Sequence, residues 1–295
     1  MPAPKVRNAP GRPRLRLAAS LWTFVGHPTP RREWSLVQKV GAIAAAGFEG
    51  VQSVHRPELT PLLHRHGLAF IGAFDAEEPK RFRAQLAELK AAGAFIANAQ
   101  IAEHDTSVSV ALAWTLRLAA AARRVGVPLQ VETHRGTATE TPEKFFAISD
   151  GYRRATGELL PVTWDHSHFA VTKHMRPENF SQRLLTSPDL VRRSRLFHCR
   201  PFNGHHCQIA VADSRGRRTP EYVAWLTFVR DLFAQWLSGA PDDAELWVVV
   251  EQGATLGGYN LSVFNPPWED AQRCARDLRS VWRRLLAKRA TRHGS

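Results

Sequence analysis

Leu160-Pro-Val-Thr-Trp-Asp165-His166-Ser-His168 is an apolar, strand-like run that ends in a carboxylate and two imidazoles. Three other apolar runs end in similar chemistry: Leu129-Gln-Val-Glu132-Thr-His134, Leu196-Phe-His198 and Trp247-Val-Val-Val-Glu251. A short apolar run bounded by turn formers reads as a buried strand. Ionisable residues at the ends of four successive strands read as one site.

Working outward, strands alternate with helices along the whole chain. The first half reads as strand Leu15 to Phe24, helix Trp34 to Ala46, strand Gly50 to Val54 and helix Glu58 to Arg65. Strand Leu68 to Phe74, helix Arg81 to Ala92 and strand Ala94 to Ala99 follow. Gly47, Gly67 and Gly93 stand where helices commonly stop. The second half reads as helix Val108 to Arg124, strand Leu129 to Glu132, a helix from Thr141 to Thr156 and strand Val162 to Asp165. A helix near Pro188 to Arg193, strand Leu196 to His198, helix Pro220 to Leu237, strand Leu246 to Val250 and helix Pro267 to Leu286 complete it. Eight strands alternating with helices predict an α/β fold with parallel strands. The 295-residue length favours a closed (β/α)8 TIM barrel of one domain. No Gly-x-Gly-x-x-Gly follows the first strand, so a dinucleotide fold lacks its cue.

The barrel is expected over residues 15–288, with a basic, Pro-rich arm over 1–14 and a tail over 289–295. The net charge of +13 collects at these ends. Lys5, Arg7, Arg12, Arg14 and Arg16 precede any acid, and Arg279, Arg283, Arg284, Lys288, Arg289 and Arg292 crowd the last turns. Solvated ends explain such runs more simply than specific nucleic-acid binding. No apolar run is long enough to span a bilayer and no signal-peptide core is visible, so a cytoplasmic protein without a membrane partner is expected. Cys199, Cys207 and Cys274 fit no disulfide or zinc spacing and read as free thiols, with Cys199 packed outside the barrel.

In such barrels the chemistry sits at the C-terminal ends of the strands. Glu132, Asp165, His198 and Glu251 end the fifth to eighth strands and converge on one side of the mouth. Three carboxylates in a partly dry site repel one another unless a positive partner lies between them. A divalent ion supplies that charge. The oxygen-rich donor set suits Mn²⁺ or Mg²⁺ and tolerates Zn²⁺ or Co²⁺. Any one of these acids alone could simply cap the following helix.

With these residues in hand, the chain resembles the xylose isomerase-like TIM barrel superfamily, in its sugar phosphate isomerase/epimerase branch, from about Leu15 to Leu286. The family's ordered quartet falls on Glu132, Asp165, His198 and Glu251, and its Asp-x-x-His element on Asp165-His-Ser-His168. The resemblance implies a metal-dependent isomerase or epimerase acting on a ketose, keto-sugar or related polyol. It implies His168 as a substrate contact, and Glu132 and Glu251 as ligands that exchange protons on opposite faces of an enediolate. Loss of a neighbouring hydroxyl from that enediolate makes a lyase or dehydratase instead. Related barrels often pair, so a homo-oligomer is compatible with the resemblance.

Further substrate-facing candidates follow from position. Arg200 lies two residues beyond His198, on the same strand face. His134 directly follows the fifth strand, His55 and Asp75 end the second and third, and Trp22 lies near the first. His205 and Gln208 occupy the long loop after the seventh strand, while Gly253 to Tyr259 reads as a plain flexible loop. Two rival functions come from other classes. A DNA-repair AP endonuclease of the same superfamily would suit the charge, but it needs extra histidines where this chain has Asp75, Asn98, Gln100 and Asp213-Ser-Arg215. A non-catalytic binding barrel would have no use for an intact ligand set.

Overall fold

The structure, a computed structural model, describes residues 11–293. Its eight strands form a closed barrel in chain order, every neighbouring pair parallel. The first half runs β1 (Arg14–Ser20), α1 (Leu36–Ala45), β2 (Gly50–Ser53), α2 (Leu59–His66), β3 (Ala69–Ala76), α3 (Phe82–Ala91), β4 (Ala94–Ile101) and α4 (Val108–Val125). The second runs β5 (Leu129–Glu132), α5 (Pro142–Thr156), β6 (Val162–Asp165), α6 (His166–Thr172), α7 (Phe180–Leu184), α8 (Pro188–Arg193), β7 (Leu196–His198), α9 (Pro220–Leu237), β8 (Glu245–Val250) and α10 (Pro267–His293).

Local sequence explains most boundaries. Ser35 and Gln38 form a reciprocal capping box at the start of α1. Thr141 and Thr219 cap α5 and α9, each followed by a proline and a glutamate in the first turn. Gly126 ends α4 in the left-handed region that glycine adopts freely.

Several expected boundaries shift. The first strand stops at Ser20, because Ser20 accepts a hydrogen bond from the Trp22 amide and turns Leu21–Phe24 into a 3-10 turn. Beyond β6, His166 opens the short helix α6, with the Asp165 carboxylate accepting from Ser167 N at 2.9 Å. The last helix continues to His293, past its expected end at Leu286, and Arg289 donates to the carbonyls of Leu237 and Ala240. Of the expected arm and tail, residues 1–10 and 294–295 lie outside the described residues. No helix among the described residues is long and apolar enough to cross a membrane.

Two apolar layers isolate the upper barrel. One fills the space between strands and helices, and a second, formed by Ala18, Ile71, Ile96, Leu196 and Val249, plugs the barrel interior above Phe95 and Trp247. Strand tilt then decides which residues share a height. Glu132 is in register with Thr163, Asp165 with His198, and His198 with Val249. The acidic positions therefore step up by two residues between β5 and β6 and again between β7 and β8. This keeps them together above the apolar plug.

Close packing fixes the loop after β7 as well. A Cβ at Gly204 would lie 2.0 Å from the Met175 carbonyl oxygen, backbone that cannot turn aside, whereas one at Gly41 on α1 meets nothing within 4 Å. Gly204→Ala is therefore expected to cost about 1–3 kcal/mol in urea denaturation. Gly41→Ala should gain about 0.5–1 kcal/mol by its better helix propensity.

Candidate metal centre and active site

Glu132 closes β5, Asp165 closes β6, His198 closes β7, and Glu251 immediately follows β8. All four are buried, and one donor atom from each lies within 4.8 Å of the others. The expected quartet is assembled by the strand ends. Each member is also held from behind. Glu132 Oε2 accepts from Asn98 Nδ2 at 2.7 Å and Gln100 Nε2 at 3.3 Å, both on β4. Thr133 ties β5 to β6, its hydroxyl accepting from Asp165 N and donating to Asp165 O.

His198 decides what the centre is built for. Its Nε2 lies 2.8 Å from Gln52 Oε1, and an amide oxygen can only accept, so Nε2 carries the proton. In the neutral ring Nδ1 is then a bare lone pair. That lone pair faces Glu132 Oε1 at 3.0 Å and Glu251 Oε2 at 3.3 Å, with no hydrogen bond to either. A lone pair against two carboxylates demands a cation between them, either a second proton on the ring or a metal ion. The donor set of three carboxylates and one imidazole fits a divalent ion.

The electrostatics follow from the same contacts. Burial works to raise all three carboxyl groups, but nearby cations win. His198 holds Glu132 down at about 2, Arg200 holds Asp165 well below the usual range, and Arg200 and His198 lower Glu251. Burial works to lower His198, yet Glu132 and Glu251 raise it well above its ordinary value.

Among the expected substrate contacts, the structure brings four together. His168 Nε2 lies 3.3 Å from Asp165 Oδ2, and its ring sits 4.1 Å from that of His134. Arg200 Nη2 reaches Asp165 Oδ2 at 2.5 Å and Glu251 Oε2 at 3.2 Å. Trp22 and Tyr259 cover the guanidinium, with ring centroids 5.7 and 5.4 Å from its carbon.

Four other candidates fall elsewhere. Gln208 is buried but spends its amide on the next loop, accepting from Gly253 N and donating to Gly253 O and Asn260 Oδ1. His205 is exposed, its amide held by Asn203 in a local turn. Asp75 lies exposed within β3, and His55 is half-buried on the β2 side of the mouth. Among the described residues, no hydrogen bond or ion pair joins either of them to the quartet. The stretch from Gly253 to Tyr259 is more than a plain loop, because Gly253 sits so close to Trp22 and Tyr259 that a Cβ there would come within 2.6 Å of both. Cys199, Cys207 and Cys274 are buried free thiols.

Gln52, Asn98, Gln100, Thr133 and Tyr259 are the functional neighbours that strand-end reasoning passed over. For Gln52, Asn98 and Gln100 the one sequence signal is polarity at inward positions of otherwise apolar strands, while Thr133 and Tyr259 lie outside the strands and carry no such mark. Asn98 and Gln100, two of the positions where an endonuclease-type cluster needs histidines, are amides committed to Glu132. Asp213 accepts from the Arg215 and Arg217 amides in a surface turn.

The chain matches no protein-family model and no curated protein. Solved structures do match. An L-ribulose 3-epimerase aligns with a TM-score of 0.64 at 10% identity, covering 94% of this chain and 98% of that one. A xylose isomerase-like TIM barrel protein from Mycobacterium smegmatis, in complex with magnesium, aligns at 0.55 and 13%, covering 90% and 97%. A probable 3-DHS dehydratase from Bacillus anthracis aligns at 0.56 and 12%, covering 88% and 98%. The chain has the fold of the xylose isomerase-like TIM barrels.

His166 offers a test of the packing beneath the centre. It stacks on Trp164 at 5.1 Å against Phe228, with Nε2 buried and unpartnered, and burial pushes its pKa down to about 3. Unfolded, it titrates near 6.5, so between pH 6.5 and about 3 the unfolded chain binds the extra proton and stability falls as pH falls. In the metal-free protein His166→Phe should flatten that decline by up to about 1.4 kcal/mol per pH unit. Urea melts at pH 6, 5 and 4 measure it, and an unchanged slope would contradict the assignment.

Proposed function

We propose that the chain is a divalent-metal-dependent isomerase or epimerase of a ketose, keto-sugar or related polyol, with Glu132, Asp165, His198 and Glu251 as ligands. The observation that carries this reading is the His198 ring, held at Nε2 by Gln52 and turned so that Nδ1 faces both Glu132 and Glu251, a gathering of donors that calls for a cation. The likeness in fold to an L-ribulose 3-epimerase and to a magnesium-bound barrel supports it. Mn²⁺ or Mg²⁺ suits the oxygen-rich set best.

When bound, the ion supplies Lewis-acid polarisation of a carbonyl and its neighbouring hydroxyl, which acidifies the C–H between them. The protein's own groups do the rest. Glu132 is ionised and fixed by two amide donors, so it is the proton acceptor. Glu251 faces the same His198 nitrogen with a side chain 10% exposed, against 2% for Glu132, so it is the group that trades protons with water and returns one to carbon. Return to the opposite face inverts the carbon. Arg200, His168 and His134 line the approach and bind substrate oxygens, and Trp22 with Tyr259 keeps water from the developing enediolate.

Elimination on the same centre is the second reading. The fold's likeness to a probable dehydratase favours it.

Two experiments test the proposal. Mn²⁺ at about 100 times its dissociation constant should stabilise the protein by about 2.7 kcal/mol; protein that takes up no metal and shows no thermal shift would sink the reading. In a screen of keto-sugars in D₂O, metal-dependent deuterium uptake next to the carbonyl identifies the substrate. Glu132→Gln and Glu251→Gln should each slow that exchange about 10²–10⁴-fold, and undiminished uptake in either removes that residue from the proton path.

A further inference from the structure

We propose that Arg200 is a built-in counter-ion that competes with the divalent ion for the same two oxygens and thereby sets how tightly the centre binds it. The inference rests on the metal reading above and goes beyond it in assigning Arg200 a role opposed to the ion.

The oxygens are identifiable one by one. Asp165 Oδ1 is spent on the Ser167 amide at 2.9 Å, which leaves Oδ2 free to ligate. Glu251 Oε2 is the oxygen that faces His198 Nδ1 at 3.3 Å, so it is the one able to share an ion with that ring. Arg200 Nη2 already holds both, at 2.5 and 3.2 Å. The same nitrogen is 3.2 Å from His168 Nε2.

The remainder of the guanidinium is not anchored. An arginine on a carboxylate commonly uses two parallel N–H donors. Here every polar contact converges on Nη2, while Nε and Nη1 are buried without a partner. Two aromatic faces, Trp22 and Tyr259, lie against the group. A side chain held through one nitrogen can give up those two oxygens at the cost of one further contact, that to His168 Nε2. Its unpaired donors are then available to oxygens of a substrate.

The charge count gives the competition a purpose. Glu132, Asp165 and Glu251 bring three negative charges, and Arg200 is the one Lys or Arg among the described residues that pairs with them. With the metal-free centre so compensated, removing Arg200 leaves buried carboxylates exposed to one another. With an ion present, the same guanidinium is a like charge a few ångströms away. Loss of Arg200 therefore moves two properties in opposite directions, whereas a merely structural role would lower both.

The test uses metal-stripped full-length protein, wild type and Arg200→Gln, with Mn²⁺ affinity from titration calorimetry and the melting temperature of each metal-free form. The variant should bind Mn²⁺ about ten- to a hundredfold more tightly and melt at a lower temperature when metal-free. Equal or weaker affinity in the variant, with wild type still binding one ion, overturns the competition and leaves the metal reading intact. Uptake by the variant alone supports it, and uptake by neither overturns both. Should Arg200→Gln fail to fold, wild type decides: Mg²⁺ should shift the Arg200 Nε–H resonance, assigned by its loss in Arg200→Lys, and an unmoved resonance overturns the proposal.

Discussion

Three carboxylates drawn to one point above an apolar plug are the constraint on which the upper half of this barrel depends. Removing such charges from water costs several kcal/mol each unless cations and hydrogen-bond donors compensate. Compensation comes from four of the eight strands or their ends: Gln52 behind His198, Asn98 and Gln100 on Glu132, Thr133 across to Asp165, and Arg200 between Asp165 and Glu251. The barrel's polar second layer exists because its first layer is acidic.

The division between a dry floor and a polar mouth also explains the chain's patterning. Ala18, Ile71, Ile96, Leu196 and Val249 meet at mid-height, and below them Phe95 and Trp247 pack against the cluster with their rings 4.7 Å apart. A water-free floor lowers the local dielectric under the quartet, which strengthens each ion pair above it. Stability and chemistry are thus separated along the barrel axis, with packing below and charge above.

Much of this was legible in the sequence because two periodicities carry it. Apolar strands that end in Glu132, Asp165, His198 and Glu251 locate the barrel and the centre at once, and the period of two places Arg200 beside His198. Amide partners carry no such mark. Asn98 and Gln100 read as the absence of histidines, and only the pairing of β4 with β5 shows that they hold Glu132. Loop residues were the other failure. His205 and Gln208 share a segment, but one turns to solvent and the other to backbone, since loop side chains follow local hydrogen bonds and not a repeat. The Ser20 turn that shortens β1 likewise depends on a single side-chain contact.

Gln208 has a consequence for how such a barrel can change over time. Its one amide satisfies both the N–H and the carbonyl of Gly253, so the segments after β7 and β8 are joined as a single mechanical part. Neither segment is free to drift alone: a length change in one misaligns a buried hydrogen-bond pair in the other. New specificities on this scaffold would then arise by exchanging the two segments as a cassette. Among the described residues, the end of β3, where Asp75 stands exposed and apart from the quartet, carries no such coupling to Gln208.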